Sequence, residues 1–390
     1  MAALPVLVFL FFVRPKSWQV TLPVTPTMIA LLGRRDSPTD ALEDYCRLLR
    51  EALAREGQEL SLVWTPWPEM GWIRAFLWLW RHSRGWQDRW ILVQYTALSW
   101  SRRGIPLNLL VVLGMVKVRR ARVAVVFHDP GTYRADRVME RIRACLQWCV
   151  LRAAHRLAEK SVLTVPLTGV RWLPGGSRKA FFIPIGANVP AIQKQQSNGA
   201  SHAARPKTVA VFGITGGGAI PREIDDIAYA MSHVARHFEN PRLLTLGRGS
   251  EEAEGKLRRA LDGASVDLVA MGVLPPEEIS SLLTSSDALL FVRGPISTNR
   301  GSAIAGIACG LPVVGYSGSD AQSPLAEAGV VLVPQDNREA LARELTRVLS
   351  NEQLWETLHQ RNLLAWQRHF SWSSIARQFM KALENGAAVE

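Results

Sequence analysis

The sequence predicts an α/β protein made of two doubly wound domains, on three observations. Two series of short apolar runs alternate with longer segments of helical period, a polar break separates the two series, and 390 residues are enough to build two cores. Loops at the carboxyl ends of the strands in such domains face a central cleft.

The first series begins with "TMIALLG" as a strand and "TDALEDYCRLLREALAREG" as an amphipathic helix that Gly57 closes. "ELSLVW", "RWILVQY", "ARVAVVFHD", "SVLTVP" and "KAFFIPIG" follow as five more strands, with helical segments between most of them, including "VMERIRACLQWCVLRAAHRL". These place a first domain over residues 27–190. Residues 191–206, "AIQKQQSNGASHAARP", have no hydrophobic period and read as a linker. "TVAVFG", "LLTLG", "DLVAMG", "ALLFV", "PVVGY" and "GVVLVP" are six strands of a second domain over residues 207–369. "EALARELTRVLS", "EQLWETLHQRNLLAWQRHF" and "WSSIARQFMKALENG" are three closing helices, the last within residues 370–390. Residues 1–26 are an extension whose apolar run of about a dozen residues is too short to span a bilayer; a monotopic anchor and sequence upstream of the native start codon are both open. "MGWIRAFLWLWRHSRGWQDRW" alternates tryptophan with arginine on a helix, which suits a core-facing helix with snorkelling arginines or a membrane-surface helix.

A net charge of +12, mostly arginine, favours anionic partners such as nucleotide phosphates or an anionic membrane face. Nucleic acid fits poorly, because the arginines are spread through helices and no reading motif accompanies them. Cys46, Cys145, Cys149 and Cys309 lack zinc-site spacing and are expected to be buried thiols in a reducing, cytoplasmic compartment. No metal site and no membrane-spanning segment is expected.

Two loops carry the chemistry. "VAVFGITGGGAIPRE" places Thr215, Gly216, Gly217 and Gly218 between a strand and a helix, where glycines let backbone amides approach a diphosphate. "RGPISTNRGSAIAGIACGLPVVGY" follows "ALLFV" and enters a helix. Ser297, Thr298, Asn299 and Ser302, with Gly301 between, offer hydroxyl and amide groups at its start, either capping the helix or meeting an anion. Arg293 and Arg300 are fork-shaped donors suited to phosphate oxygens.

The order and spacing of these segments resemble the GT-B-fold glycosyltransferases, in particular the large retaining family 4 (group 1) that uses nucleotide sugars. The resemblance runs from residue 27 to 383 and rests on "DALEDYCRLLREALAREGQEL", "VVFHD", "IPIGANVP", "LLTLGRG", "VAMGVLPPEEISSLLTSSDALLFV", "IACGLPVVGYSG" and "FSWSSIARQFMKAL". It implies two Rossmann-like domains, a final helix that can cross back to the first, and a nucleoside diphosphate sugar as substrate rather than any cofactor. It implies that His128 meets the transferred sugar or the reaction centre, with Asp129 beside it, and that Gly247, Arg248, Gly272 and Val273 border the nucleotide.

The chain also departs from the family. The arginine and lysine that usually hold the diphosphate are missing near 216–218, unless Arg222 reaches back. In register with "IACGLPVV", the family's two glutamates fall on Ser297 and Ala305. An active transferase with an altered donor site is the first expectation, acting on a glycan or lipid-linked acceptor without a metal, at the inner face of the membrane. A non-catalytic binding or scaffolding subunit is the second, and an epimerase on the same fold the third.

Overall fold

The computed structural model describes residues 28–36, 40–133, 137–190, 205–215, 220–318 and 324–384. The extension 1–26, nearly all of the expected linker, and Gly216 to Gly218 lie outside them.

Strands β1 (Met28–Leu32), β2 (Leu60–Trp64), β3 (Trp90–Tyr95), β4 (Arg122–Phe127), β5 (Lys160–Leu163) and β6 (Ala180–Phe182) form one parallel sheet in the order β2-β1-β3-β4-β5-β6. Strands β7 (Thr208–Phe212), β8 (Arg242–Leu246), β9 (Asp267–Ala270), β10 (Ala288–Pro295), β11 (Val313–Tyr316) and β12 (Val330–Val333) form a second, in the order β12-β11-β10-β7-β8-β9. All twelve apolar runs are strands. Their near-continuous Val, Leu and Ile content is what sheets covered on both faces require. The strand order reverses between β1 and β3 and again between β7 and β10, and loops at those carboxyl ends diverge to leave a crevice.

Helices α1 (Ala41–Arg55), α2 (Trp67–His82), α3 (Asn108–Val118) and α4 (Val138–Leu157) belong to the first domain. The Asp40 carboxylate starts α1 by accepting the Leu42 and Glu43 N–H groups at 2.9 and 3.1 Å. Helix α2 kinks at Gly71, whose φ of +76° is open to glycine and strained for other residues. It buries Trp67, Ala75 and Leu79 and stacks Trp72 on Trp67, while Met70, Ile73, Leu77 and Trp80 stay exposed. The segment therefore has a core-facing side and an apolar outward side.

The second domain adds α5 (Ile220–Val234), α6 (Ser250–Ala260), α7 (Pro276–Ser285), α8 (Gly301–Ala308), α9 (Arg338–Ser350) and α10 (Glu352–Ala365). A π turn at Trp366–Phe370 then leads into α11 (Trp372–Glu384), which packs on the first domain. Ile375, Ala376, Phe379, Ala382 and Leu383 share one core with Tyr45, Leu49 and Leu53 of α1 and with Met28, Ala30 and Leu32 of β1. The Trp372 indole N–H donates to the Ala187 carbonyl at 2.6 Å. A Cβ at Gly186 would lie 2.5 Å from that indole, so the chain there needs a glycine for α11 to dock.

The expectation that all four cysteines are buried is corrected. Cys46 and Cys309 are buried, but Cys145 and Cys149 are exposed, because the inward face of α4 is made by Gln147, Val150, Leu151 and Ala154.

Phe379 is fully buried at the join of α11 with the first sheet. Phe379→Ala is expected to cost about 3–5 kcal/mol, read as a lower urea midpoint for the first domain; an unchanged midpoint would mean that α11 is not part of that core.

Candidate active site between the two domains

Two cavities lie at the carboxyl ends of the sheets. One of about 410 Å³ is lined from the first domain by Tyr45, Ser99, His128 and Asp129, from the second by Asn299 and Gly301, and from α11 by Trp372. The other, of about 570 Å³, is lined by Trp148, Arg171, Trp172, Ser297 and Arg300. Asp129 and Asn299 line both, so they form the partition between the two.

His128 follows β4, and its N–H donates to the Tyr95 carbonyl at 3.0 Å. Its Nε2 lies 2.8 Å from the Gln94 side-chain oxygen. Gln94 is fully buried in β3, and its amide nitrogen donates to the Leu92 carbonyl at 3.2 Å. That orientation makes Gln94 the acceptor, so His128 carries its proton on Nε2 and leaves Nδ1 as a lone-pair acceptor. Burial pulls the imidazole down to about 3, which keeps it neutral at physiological pH. The Tyr45 ring meets His128 edge-on at 4.6 Å. The Tyr45 hydroxyl has no hydrogen-bond partner among the described residues. Burial raises the Asp129 carboxyl, opposed by the Arg300 charge and the Gly131 N–H.

The loop between β10 and α8 does two jobs. The Ser297 hydroxyl donates to the Asn299 side-chain oxygen at 2.5 Å, and the Asn299 amide donates to the His128 carbonyl at 3.0 Å. Thr298, expected as a ligand group, is fully buried and donates to the Thr164 carbonyl at 2.6 Å, while its own carbonyl accepts the Ile185 N–H. Thr298 thus joins the domains and does not face either cavity. Capping by Ser297 to Ser302 is also corrected: Arg300 occupies the N-cap position, and no side chain caps α8. The first amides of α8 are left open, and Gly301 lines the smaller cavity.

Arg293 lies within β10 and is held from below. Its Nε donates to the Thr215 hydroxyl at 3.3 Å, and buried Glu223 accepts the Thr215 N–H at 2.7 Å. Burial lowers the Arg293 guanidinium, and the Glu223 charge opposes that. A Cβ at Gly213, where φ is +79°, would lie 2.9 Å from the Arg293 Nη1. Arg222 pairs with Asp336 and Asp226, and the 216–218 loop it was expected to reach lies outside the described residues.

Gly247, Arg248, Gly272 and Val273 follow β8 and β9 and line neither cavity. The Gly247 N–H donates to the Gly272 carbonyl at 2.5 Å, and Arg248 reaches Asp36 of the first domain at 3.6 Å. Ala305, the second glutamate position of the resembled family, is fully buried in α8 among Leu289 and Val313.

Gln94, Tyr45, Trp372 and Glu223 were not among the residues expected from sequence. Gln94 alone had a local signal, a polar side chain inside the apolar run "WILVQY".

Residues 210–351 match the family described as Glycosyl transferases group 1. The chain carries a group 1 glycosyltransferase domain. No curated protein matches the sequence. Among solved structures, sucrose-phosphate synthase from Thermosynechococcus elongatus is similar at 18% identity and a TM-score of 0.64, covering 91% of this chain and 98% of its own. A glycosyltransferase from Rickettsia africae is 12% identical with a TM-score of 0.63, covering 93% of this chain and all of its own. Anabaena HepE in complex with UDP-glucose is 14% identical with a TM-score of 0.58, covering 91% and 98%. Two facing parallel sheets with these neighbours are the GT-B fold, and the group 1 domain supplies its second half.

His128 in this transferase also sets a pH dependence. An unfolded imidazole titrates near 6.5 and the folded one near 3, so the unfolded chain takes up the proton first as pH falls, and stability drops through that window. His155, lowered to about 4 by burial and the nearby Lys179, adds to the same loss. His128→Gln should flatten the fall of the thermal midpoint between pH 6.5 and 4 without removing it; an unaltered slope would show that His128 is not held neutral.

Proposed function

We propose that this group 1 glycosyltransferase moves a sugar, with retention, from a nucleoside diphosphate sugar to a hydroxyl of a glycan or lipid-linked acceptor in glycan or glycoconjugate synthesis. One observation carries the reading: the uncapped start of α8, at Arg300 and Gly301, shares its cavities with His128 and Asp129 of the first domain, and Arg293 lies within electrostatic reach of Arg300. The complex of HepE with UDP-glucose supports a donor of this class.

In the proposed reaction, the bond from the anomeric carbon to the diphosphate breaks as the sugar gains oxocarbenium character, the acceptor hydroxyl oxygen bonds to that carbon on the face the diphosphate leaves, and its proton passes to the departing phosphate oxygen. The departing charge falls to Arg293, Arg300 and the α8 amides, which are fixed before the reaction begins. This assignment calls for no metal. The Nδ1 of His128 accepts a hydrogen bond from a sugar hydroxyl, and Gln94 holds the ring in the tautomer that leaves Nδ1 free. The exposed thiols of Cys145 and Cys149, one turn apart, suit a reducing compartment such as the cytoplasm.

A second reading, a non-catalytic subunit that keeps the two-domain shape, is favoured by one feature. Ala305 is buried and Thr298 is committed to the domain seam, so two expected donor contacts are missing.

Titration with a panel of nucleoside diphosphate sugars separates the two, following thermal stabilisation and release of nucleoside diphosphate. The expected result is one donor that stabilises the chain and is turned over slowly. Arg300→Ala should weaken its dissociation constant about 10- to 100-fold, the loss of one charge-assisted contact. His128→Ala should lower turnover about 100-fold or more with binding kept. If no donor binds, the catalytic reading falls; if a donor binds and both variants behave as the parent, the assigned residues are wrong.

A further inference from the structure

The two faces of the first sheet are covered differently. Alternate strand residues point to opposite sides: Met28, Ala30 and Leu92 to one, Ile29, Ile91 and Val93 to the other. Helices α1 and α11 cover the first side, and neither exposes a large apolar residue. Helices α2, α3 and α4 cover the second as one layer, and their outer surface is unlike the rest of the protein.

Among the described residues, sixteen large apolar side chains are exposed, and eleven of them belong to this layer, counting Leu107 at the start of α3. In α2 after the Gly71 kink, Ile73, Leu77 and Trp80 recur every three or four residues and so form one outward stripe, with exposed Met70 before the kink. Ile73 is 80% exposed, Val118 of α3 is 69% exposed, and Val138 and Met139 at the start of α4 are more than 70% exposed. A concentration of exposed apolar side chains on one layer marks an interaction site.

The same layer holds the protein's charge. Residues 67–157 contain 16 Lys and Arg against 5 Asp and Glu, which is 11 of the chain's 12 net positive charges. Arg74, Arg81, Arg84, Arg103, Lys117 and Arg120 are exposed there, and among the described residues none of them is in an ion pair. Arg119 lies with its guanidinium 3.7 Å over the Trp80 ring, so cation and aromatic share one spot on the surface.

We propose that the outer face of α2, α3 and α4 docks flat on an anionic lipid bilayer, with Ile73, Leu77 and Val118 entering the headgroup and acyl boundary and the arginines meeting lipid phosphates. Charge decides between a bilayer and a protein partner. The centre of a protein interface is depleted in charged residues, because each would be desolvated there. Here unpaired arginines are interleaved with the apolar residues, a mixture that suits a surface offering both hydrocarbon and phosphate at one depth. No helix among the described residues is long and apolar enough to cross a membrane, so the contact lies in the interface plane. Trp148 of α4 is on this layer and also lines the 570 Å³ cavity with Arg171 and Arg300, so the docked face opens onto the cleft. A lipid-linked acceptor would enter there; that clause alone rests on the proposed transfer reaction.

Cosedimentation of the full chain with phosphatidylglycerol-containing vesicles and with pure phosphatidylcholine vesicles tests the proposal without any donor, so it stands apart from sugar transfer. Binding should be about tenfold weaker to the neutral vesicles, and should weaken by a similar factor when salt is raised from 0.05 to about 0.5 M. The Ile73→Ser, Leu77→Ser double variant and the Arg74→Glu, Arg81→Glu double variant should each lose binding about tenfold, with thermal midpoints near the parent's. Leu364→Ser, at an exposed site in the second domain, should change nothing. Equal binding to both vesicles, or binding that survives both double variants, overturns the proposal. So does self-association in gel filtration that the same substitutions abolish, because the face would then be a protein interface.

Discussion

A helix that follows the second domain in sequence is buried in the core of the first, and that burial sets where the two halves of the cleft meet. Ile375, Phe379 and Leu383 of α11 are almost wholly removed from water. Each such side chain contributes about 1.5–3 kcal/mol of transfer free energy, so the three outweigh the seam hydrogen bonds, worth about 1 kcal/mol each net. Packing of α11 therefore supplies the strength of the domain contact. The hydrogen bonds supply its register: Thr298 to Thr164 and Asn299 to His128 work only when β10 stands opposite the ends of β4 and β5.

That division of labour explains why one short loop carries so many polar residues. Leaving the Thr164 or His128 carbonyl unpaired in the seam costs more than the bond gains, so the loop is intolerant of apolar residues for structural reasons alone. A polar "STNRGS" is therefore not by itself a sign of a ligand. The sign lies elsewhere, in the open amides of α8 and in two arginines whose carboxylate partners are few. Glu223 stabilises Arg293 through Thr215, and Arg300, which lines the larger cavity, interacts with Asp129 of the first domain.

The twelve strands were legible because the central ones are buried on both faces and so are written as near-continuous apolar runs, a pattern that the half-buried edge strands β2, β6, β9 and β12 share. α1 and α4 were legible from their periodicity, and α1 also from the Gly57 stop. The site was less so, because its residues are brought together by contacts far apart in sequence. Tyr45 reaches His128 through the phase of α1, Trp372 arrives on a helix more than 240 residues further along, and nothing near Thr298 announces that its hydroxyl is used by Thr164. The exposure of Cys145 and Cys149 was misread for a related reason: α4 is apolar on its outward face too, so hydrophobicity could not say which side was the core.

The missing carboxylates change the electrostatic character of the donor side rather than only removing two contacts. With serine at 297 and alanine at 305, the second domain's side of the cleft keeps Arg293 and Arg300 within electrostatic reach of each other, with buried Glu223 opposing the burial of Arg293. A site of that kind gains its grip from the charge of a diphosphate, which every nucleotide sugar shares, and less from hydroxyls that tell one sugar from another. Sugar discrimination in the proposed reaction then passes to the first domain, to the Nδ1 of His128 and the unpartnered hydroxyl of Tyr45. Those two groups are positioned by Gln94 and by the packing of α1 against α11, so the same helix that joins the domains also shapes the pocket in which a sugar would be recognised.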